Sequence, residues 1–296
     1  MGIALALGSM LCFGLNILIT RHALTHMPVS SGFFVVLVVN IVFAALAWGV
    51  QLMLREVPVP LDWAGVGWFA AAGVIGTWLS RRTLFDTVEL LGPARASVFH
   101  STAPVFSLIA AWFLVGEVLS AYAAALMVVV IAGLWISQSG APGGAKPVSP
   151  EALRRGAILG LLTVAGFGVS NALRGVGLRD WNEPLLGLVI SSAVALVLQC
   201  ATTRNWGKVA SDMRGCNAAG WVLYTAAGIA TVGGPVLVSM AMLHMEIALA
   251  ALVTHTTPLL IFPVTVWFYG QREILTRRTL GGTALVLGGI LLLALR

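Results

Sequence analysis

Charge is scarce in this sequence. Only 9% of its 296 residues are Asp, Glu, Lys or Arg, while 59% are hydrophobic and the mean hydropathy is +0.97. A soluble domain carries about 25% charged residues, so an ordinary water-soluble globule is excluded. All 11 acidic residues fall in loops or near the ends of apolar runs, and none sits at the centre of one. Exchange of protons for cations through a mid-membrane carboxylate is therefore disfavoured. Facilitated diffusion or histidine-linked coupling fits better. Cysteine is also rare. Cys12, Cys200 and Cys216 form no CxxC pair, which supports neither a disulfide framework nor a zinc site. No Walker A loop, HExxH or GxSxG occurs, so ATP-driven transport and the common hydrolases lack their motifs. No cofactor and no metal is implied. The first apolar run has no basic leader and no convincing cleavage site, so a removed signal peptide is not expected.

What the chain does have is long apolar stretches. Ten can be read, at 2–21, 31–54, 63–84, 93–115, 119–137, 155–174, 184–203, 218–240, 247–269 and 278–296. Each is close to the roughly 20 residues that a helix needs to cross a bilayer. The fold class is an all-α polytopic membrane protein with ten transmembrane helices. An even number of spans puts both termini on one side. Arg55, Arg174, Arg179 and Arg296 then share that side, and the other 13 of the 17 Lys and Arg residues lie opposite. The cytoplasmic side of a membrane protein carries the excess of cations, so both termini are expected outside the cytoplasm. The net charge of +6 thus speaks to orientation in a lipid bilayer, and no nucleic-acid partner is expected.

The sequence is also written twice. CFGLN at 12–16 matches GFGVS at 166–170, and AAGVIGT at 71–77 matches AAGIAT at 226–231. HSTAP at 100–104 matches THTTP at 254–258, and Gly116 pairs with Gly270. Beyond a two-residue insertion, Glu117, Leu119 and Gly133 pair with Glu273, Leu275 and Gly289. A Gly-, Pro- and Ser-rich connector separates the copies. The expected organisation is a first five-helix repeat at 1–137, a linker at 138–154 and a second repeat at 155–296. Five helices are an odd number, so the second copy enters the membrane inverted. Transporters built this way bind substrate near the midplane, at the repeat interface.

Two halves of five spans, the FGLN element of helix 1 and the element GPARASVFHSTAPVFSLIAAWFLVGE at 92–117 resemble the drug/metabolite transporter superfamily, in its EamA-type ten-span branch. Within it the sequence is most similar to aromatic amino acid exporters. The resemblance covers the whole chain. It implies export from a bacterial inner membrane, a cavity lined by helices 1, 3, 4, 6, 8 and 9, and bending at the helix 4 and helix 9 prolines.

The residues themselves point to a polar path. Ser97, His100, Ser101, Pro104 and Ser107 share one face of helix 4, and Thr254, His255, Pro258, Phe262 and Thr265 form a similar stripe on helix 9. Lipid cannot satisfy such groups, so they face protein or water. Either a cavity or close helix packing accounts for them. His100 and His255 could bind substrate, take up a proton, or rest neutral against a neighbouring helix. Asn16, Ser170 and Asn171 could hold a carboxylate or ammonium, or serve as interhelical glue. Thr77 and Trp78 complete the candidate substrate-binding set, with Trp78 placed to stack on a planar solute. Pro104, Pro258, Gly76 and Gly234 are candidate hinges. Arg81 and Arg82 stand at the end of span 3 and are expected to snorkel or to reach the cavity mouth. Glu117 is expected at the membrane interface.

The expected function is export of small amphipathic metabolites by alternating access, with aromatic or apolar amino acids preferred. A multidrug or other metabolite exporter on the same scaffold is the alternative. An intramembrane enzyme would need a nucleophile and base such as Ser101 with His255, and nothing local shows activation, so the chain is not expected to be an enzyme. The partner is a small-molecule substrate, and a monomer is expected with a dimer left open.

Overall fold

A computed structural model describes residues 1–55, 60–91, 99, 102–139, 149–257 and 276–294. Among these residues the chain is all helical. Long helices form because long apolar runs offer no turn chemistry, and each helix satisfies its own backbone in lipid. The helices are α1 (Gly2–Ala23), α2 (Val29–Met53), α3 (Trp63–Ala72), a π-helical segment (Gly73–Ser80), α4 (Arg81–Leu91), α5 (Ala103–Val115) and α6 (Ala121–Ser139). They continue with α7 (Pro150–Asp180), α8 (Pro184–Thr202), α9 (Trp206–Gly215), α10 (Ala218–Met242), α11 (Ile247–Thr254) and α12 (Arg277–Ala294). Five of them, α1, α2, α7, α8 and α10, are long and apolar enough to cross a membrane, and α5 and α6 add shorter apolar helices.

The surface is turned inside out relative to a soluble protein. Leu46, Phe113, Val128, Val197 and Leu287 are exposed, while the interior is rich in alanine, including Ala23, Ala44, Ala72, Ala172 and Ala227. Small residues let membrane helices approach closely where lipid tails give no hydrophobic drive. Helix pairs that pack are α1 with α10, α6 with α12, α5 with α7, α2 with α8, and α3 and α4 with α7. Gly133 of α6 shows the closeness required. A β-carbon there would fall 2.8 Å from the Gly282 carbonyl oxygen of α12.

Several expectations change. Span 3 does not end at residue 84, because helix continues through the π segment to Leu91. Arg81 therefore belongs to a helix packed in the bundle, with its guanidinium 5.6 Å from the centre of the buried Phe33 ring. Arg82 donates to Thr202 Oγ1 at 3.3 Å, at the C-terminal end of α8. Arg174 does not lie in a loop beside the termini. It sits within α7, half-buried, and donates to Thr77 Oγ1 at 3.2 Å. Without it the cation bias still points the same way.

Glu117 is buried rather than exposed at an interface. It accepts from the backbone N–H groups of Ile247 (3.0 Å) and Ala248 (3.2 Å), and Arg179 lies 3.7 Å away. It thus caps the first turn of α11, where free N–H groups and the positive end of the helix dipole favour a carboxylate. Helix α9, in the connection after α8, was not expected. Its ten residues, WGKVASDMRG, bury none of their side chains fully, and its start is capped by Asn205.

Candidate functional site

The π segment Gly73–Ser80 is the unusual feature of the bundle. Helices with i→i+5 bonding are rare and cluster at functional sites. Two glycines permit this one to press against its neighbours. A β-carbon at Gly73 would lie 2.6 Å from Ser191 O and 2.8 Å from Ser191 Cα. Ser191 sits near the middle of α8 and donates to Phe69 O at 2.8 Å. The π segment therefore begins at mid-depth. One at Gly76 would fall well inside contact distance of Ser170 on α7. Ser80 Oγ donates to Ile75 O, five residues back, at 2.7 Å.

Around this segment the structure gathers several of the expected residues. Ser170 is buried and donates to Ala72 O at 3.0 Å. Asn171 donates to the buried Ser107 Oγ at 3.3 Å, which ties α7 to α5. Thr77 accepts the Arg174 bond. Trp78 packs with Phe33, Leu37 and Ala195, has the Arg82 guanidinium 6.0 Å from its ring, and keeps a buried indole N–H with no partner among the described residues. Thr77 and Ser170 thus lie along the contact of the π segment with α7, while Trp78 turns to Phe33, Leu37 and Ala195 and Asn171 to α5. Arg174 joins them and was missed as a site residue. Its spacing of four from Ser170 and three from Asn171, one helical turn, was the available signal.

Other candidates lie elsewhere. Asn16 spends its amide on the α1–α10 contact, donating to Ala227 O and Thr231 Oγ1, both at 2.9 Å. With both N–H groups engaged, it acts here as interhelical glue. Gly234 has the Phe13 ring at 2.9–3.0 Å from where its β-carbon would be, and its carbonyl accepts from Ser9 at 2.8 Å. His255 follows α11 as its C-terminal cap residue and is half-buried. His100, Ser101 and Pro258 lie outside the described residues.

The two proline elements share local geometry at the positions aligned in the sequence. Helix α5 begins at Ala103, so Pro104 stands in a first turn, where its missing N–H costs no helical bond. Helix α11 ends at Thr254, just ahead of Pro258. At the first site Thr102 donates to Phe99 O through its backbone N–H (2.9 Å) and its hydroxyl (2.7 Å). At the second Thr256 donates to Val253 O through the same two groups, at 3.2 and 2.6 Å. Pro104 is therefore beside a helix start and is no kink inside α5. Nearer one end of the bundle, Glu183 is buried and pairs with Arg55, while Trp48 donates to it at 3.2 Å. These groups line a cavity of about 200 Å³ with Leu52, Leu61, Trp181 and Leu186.

Comparison with known proteins adds the following. Residues 1–138 match the model of the EamA-like transporter family. No curated protein matches the chain. A solved crystal structure superposes with a TM-score of 0.73 at 19% identity, covering 99% of this chain and 96% of that one. At that identity the likeness shows a shared fold over nearly the full length.

Proposed function

We propose that the chain is an export carrier of a bacterial inner membrane, moving small amphipathic metabolites by alternating access. Amino acids with aromatic or apolar side chains are the first expected cargo. The transporter-family match over the first 138 residues supports the class of activity. The observation that carries the reading is the polar neighbourhood at mid-depth around the π segment. There Arg174 bonds Thr77 and Ser170 bonds Ala72 at the segment's start, with Asn171 tied to Ser107 and Trp78 next to Thr77 in the chain. Such groups are costly in a membrane and are kept where solute or protons pass.

Two inverted five-helix repeats are part of the proposal. The matched threonine bonds at Thr102 and Thr256 support it. So do Ser170 bonding Ala72 O and Asn16 bonding Ala227 O, since Asn16 aligns with Ser170 and Ala72 with Ala227. The mechanical role falls to the helix breaks beside Pro104 and Pro258, with Gly76 and Gly234 as further hinge points. Direction comes from the family resemblance.

Purified protein in liposomes separates this reading from its rivals. A carrier brings labelled amino acid inside unchanged, an enzyme consumes it, and a scaffold does neither. No movement of any amino acid under any gradient would refute the proposal.

A further inference from the structure

Arg174 holds a position that protein stability does not explain. It lies one turn from Ser170, whose hydroxyl bonds Ala72 at the start of the mid-depth π segment. Among the described residues its one hydrogen-bond partner is the neutral Thr77 hydroxyl. Among the described residues no carboxylate lies within ion-pair distance of it. The buried acids are committed elsewhere, Glu183 to Arg55 and Glu117 to Arg179 and the start of α11. Arg81 lies one turn beyond Thr77, and among the described residues no carboxylate pairs with it either. Two half-buried cations inside the bundle, with no counter-charge among the described residues, cost free energy. Trp78, next to Thr77 in the chain, keeps a buried indole N–H with no partner among the described residues.

Arginine offers a planar fork of donors that matches the two oxygens of a carboxylate, and it stays charged at all relevant pH. We infer that Arg174, with the Thr77 hydroxyl beside it, reads a carboxylate on the transported solute. This rests on the transport reading above and gives it a chemical class. Cargo carries a single carboxylate, and an uncharged analogue is discriminated against. An amino acid's α-carboxylate meets the requirement. In the bound state Arg174 exchanges part of its bond to Thr77 for a charge-assisted pair, and Arg81 contributes field without contact.

The test uses proteoliposomes of the full chain and two probes of equal shape, phenylalanine and its carboxamide. Wild type favours the acid. A charge-assisted bond to a desolvated carboxylate is worth roughly 10- to 100-fold. Arg174→Gln loses that factor for phenylalanine relative to the carboxamide. Arg174→Lys, which keeps charge but not the fork, retains part of the preference. Persisting preference in Arg174→Gln, or equal loss for both probes, overturns the inference.

A binding arm keeps the site testable apart from transport. Heat protection of the detergent-solubilised protein is measured with phenylalanine, benzoate and phenyl phosphate. Protection by a carboxylate in wild type but not in Arg174→Gln supports the site, even if no amino acid is transported and the transport reading falls. No protection of wild type by any carboxylate, or stronger protection by the phosphate, overturns it.

Discussion

The contact between Gly76 and Ser170 sets the distance between the π segment and α7. Replacing Gly76 with Ala places a β-carbon inside contact of both Ser170 Oγ and Ser170 Cβ, while the next nearest atom, Ser170 Cα, is 3.9 Å away. Rotating the hydroxyl does not remove the clash with Cβ, so the helices must separate. Overpacking of this kind costs about 1–3 kcal/mol. Loss of the 3.0 Å Ser170–Ala72 bond adds about 1 kcal/mol. Gly76→Ala should therefore cost about 2–4 kcal/mol, read as the free energy of unfolding in mixed micelles. Ser170→Gly removes every atom in the way, leaving only ordinary contact. The double variant Gly76→Ala/Ser170→Gly should recover most of the loss and stay about 1–2 kcal/mol below wild type. Gly76→Ala/Ser170→Ala keeps the offending Cβ and should show no recovery. Wild-type stability in Gly76→Ala, or equal rescue by both partners, would refute the packing described here.

Two other substitutions test distinct contacts. Glu117→Ala leaves the buried N–H groups of Ile247 and Ala248 without an acceptor and should cost about 2–4 kcal/mol, whereas Glu117→Gln keeps one acceptor and should cost less than half of that, in the same unfolding assay. Pro104→Ala should change stability by less than about 1 kcal/mol, because a first-turn proline gives up no helical bond. It should nonetheless slow transport if the break is a hinge, and unchanged rates in both Pro104→Ala and Pro258→Ala would end that idea.

The helices were legible because a bilayer crossing demands a long apolar run, and few residues fake one. Helix α9 was not, since its ten residues hold Lys, Ser, Asp, Arg and two glycines and resemble a loop in composition. The π segment left no trace in composition either. It is a change of hydrogen-bond register, permitted by Gly73 and Gly76 and fixed by tertiary contact with Ser191 and Ser170. In the candidate site, Ser170, Asn171, Thr77 and Trp78 stood out as polar or aromatic groups inside apolar runs. Their partners did not, because partner choice depends on how helices far apart in sequence meet. Asn16 illustrates this, with both donors used on α10. Arg174 illustrates the reverse error. At the edge of an apolar run an arginine looks like a surface anchor, and only the length of α7, which continues to Asp180, draws it inside. Glu117 was misread for a similar reason, since its buried role belongs to a helix start 130 residues away.

Counterflow tests the central claim most directly. Proteoliposomes preloaded with unlabelled phenylalanine are diluted into a trace of labelled phenylalanine. A carrier that alternates access exchanges one for the other, so label should accumulate transiently above its outside concentration, and empty vesicles should show no overshoot. Equal, monotonic entry into loaded and empty vesicles, or no entry with any amino acid, would contradict the account.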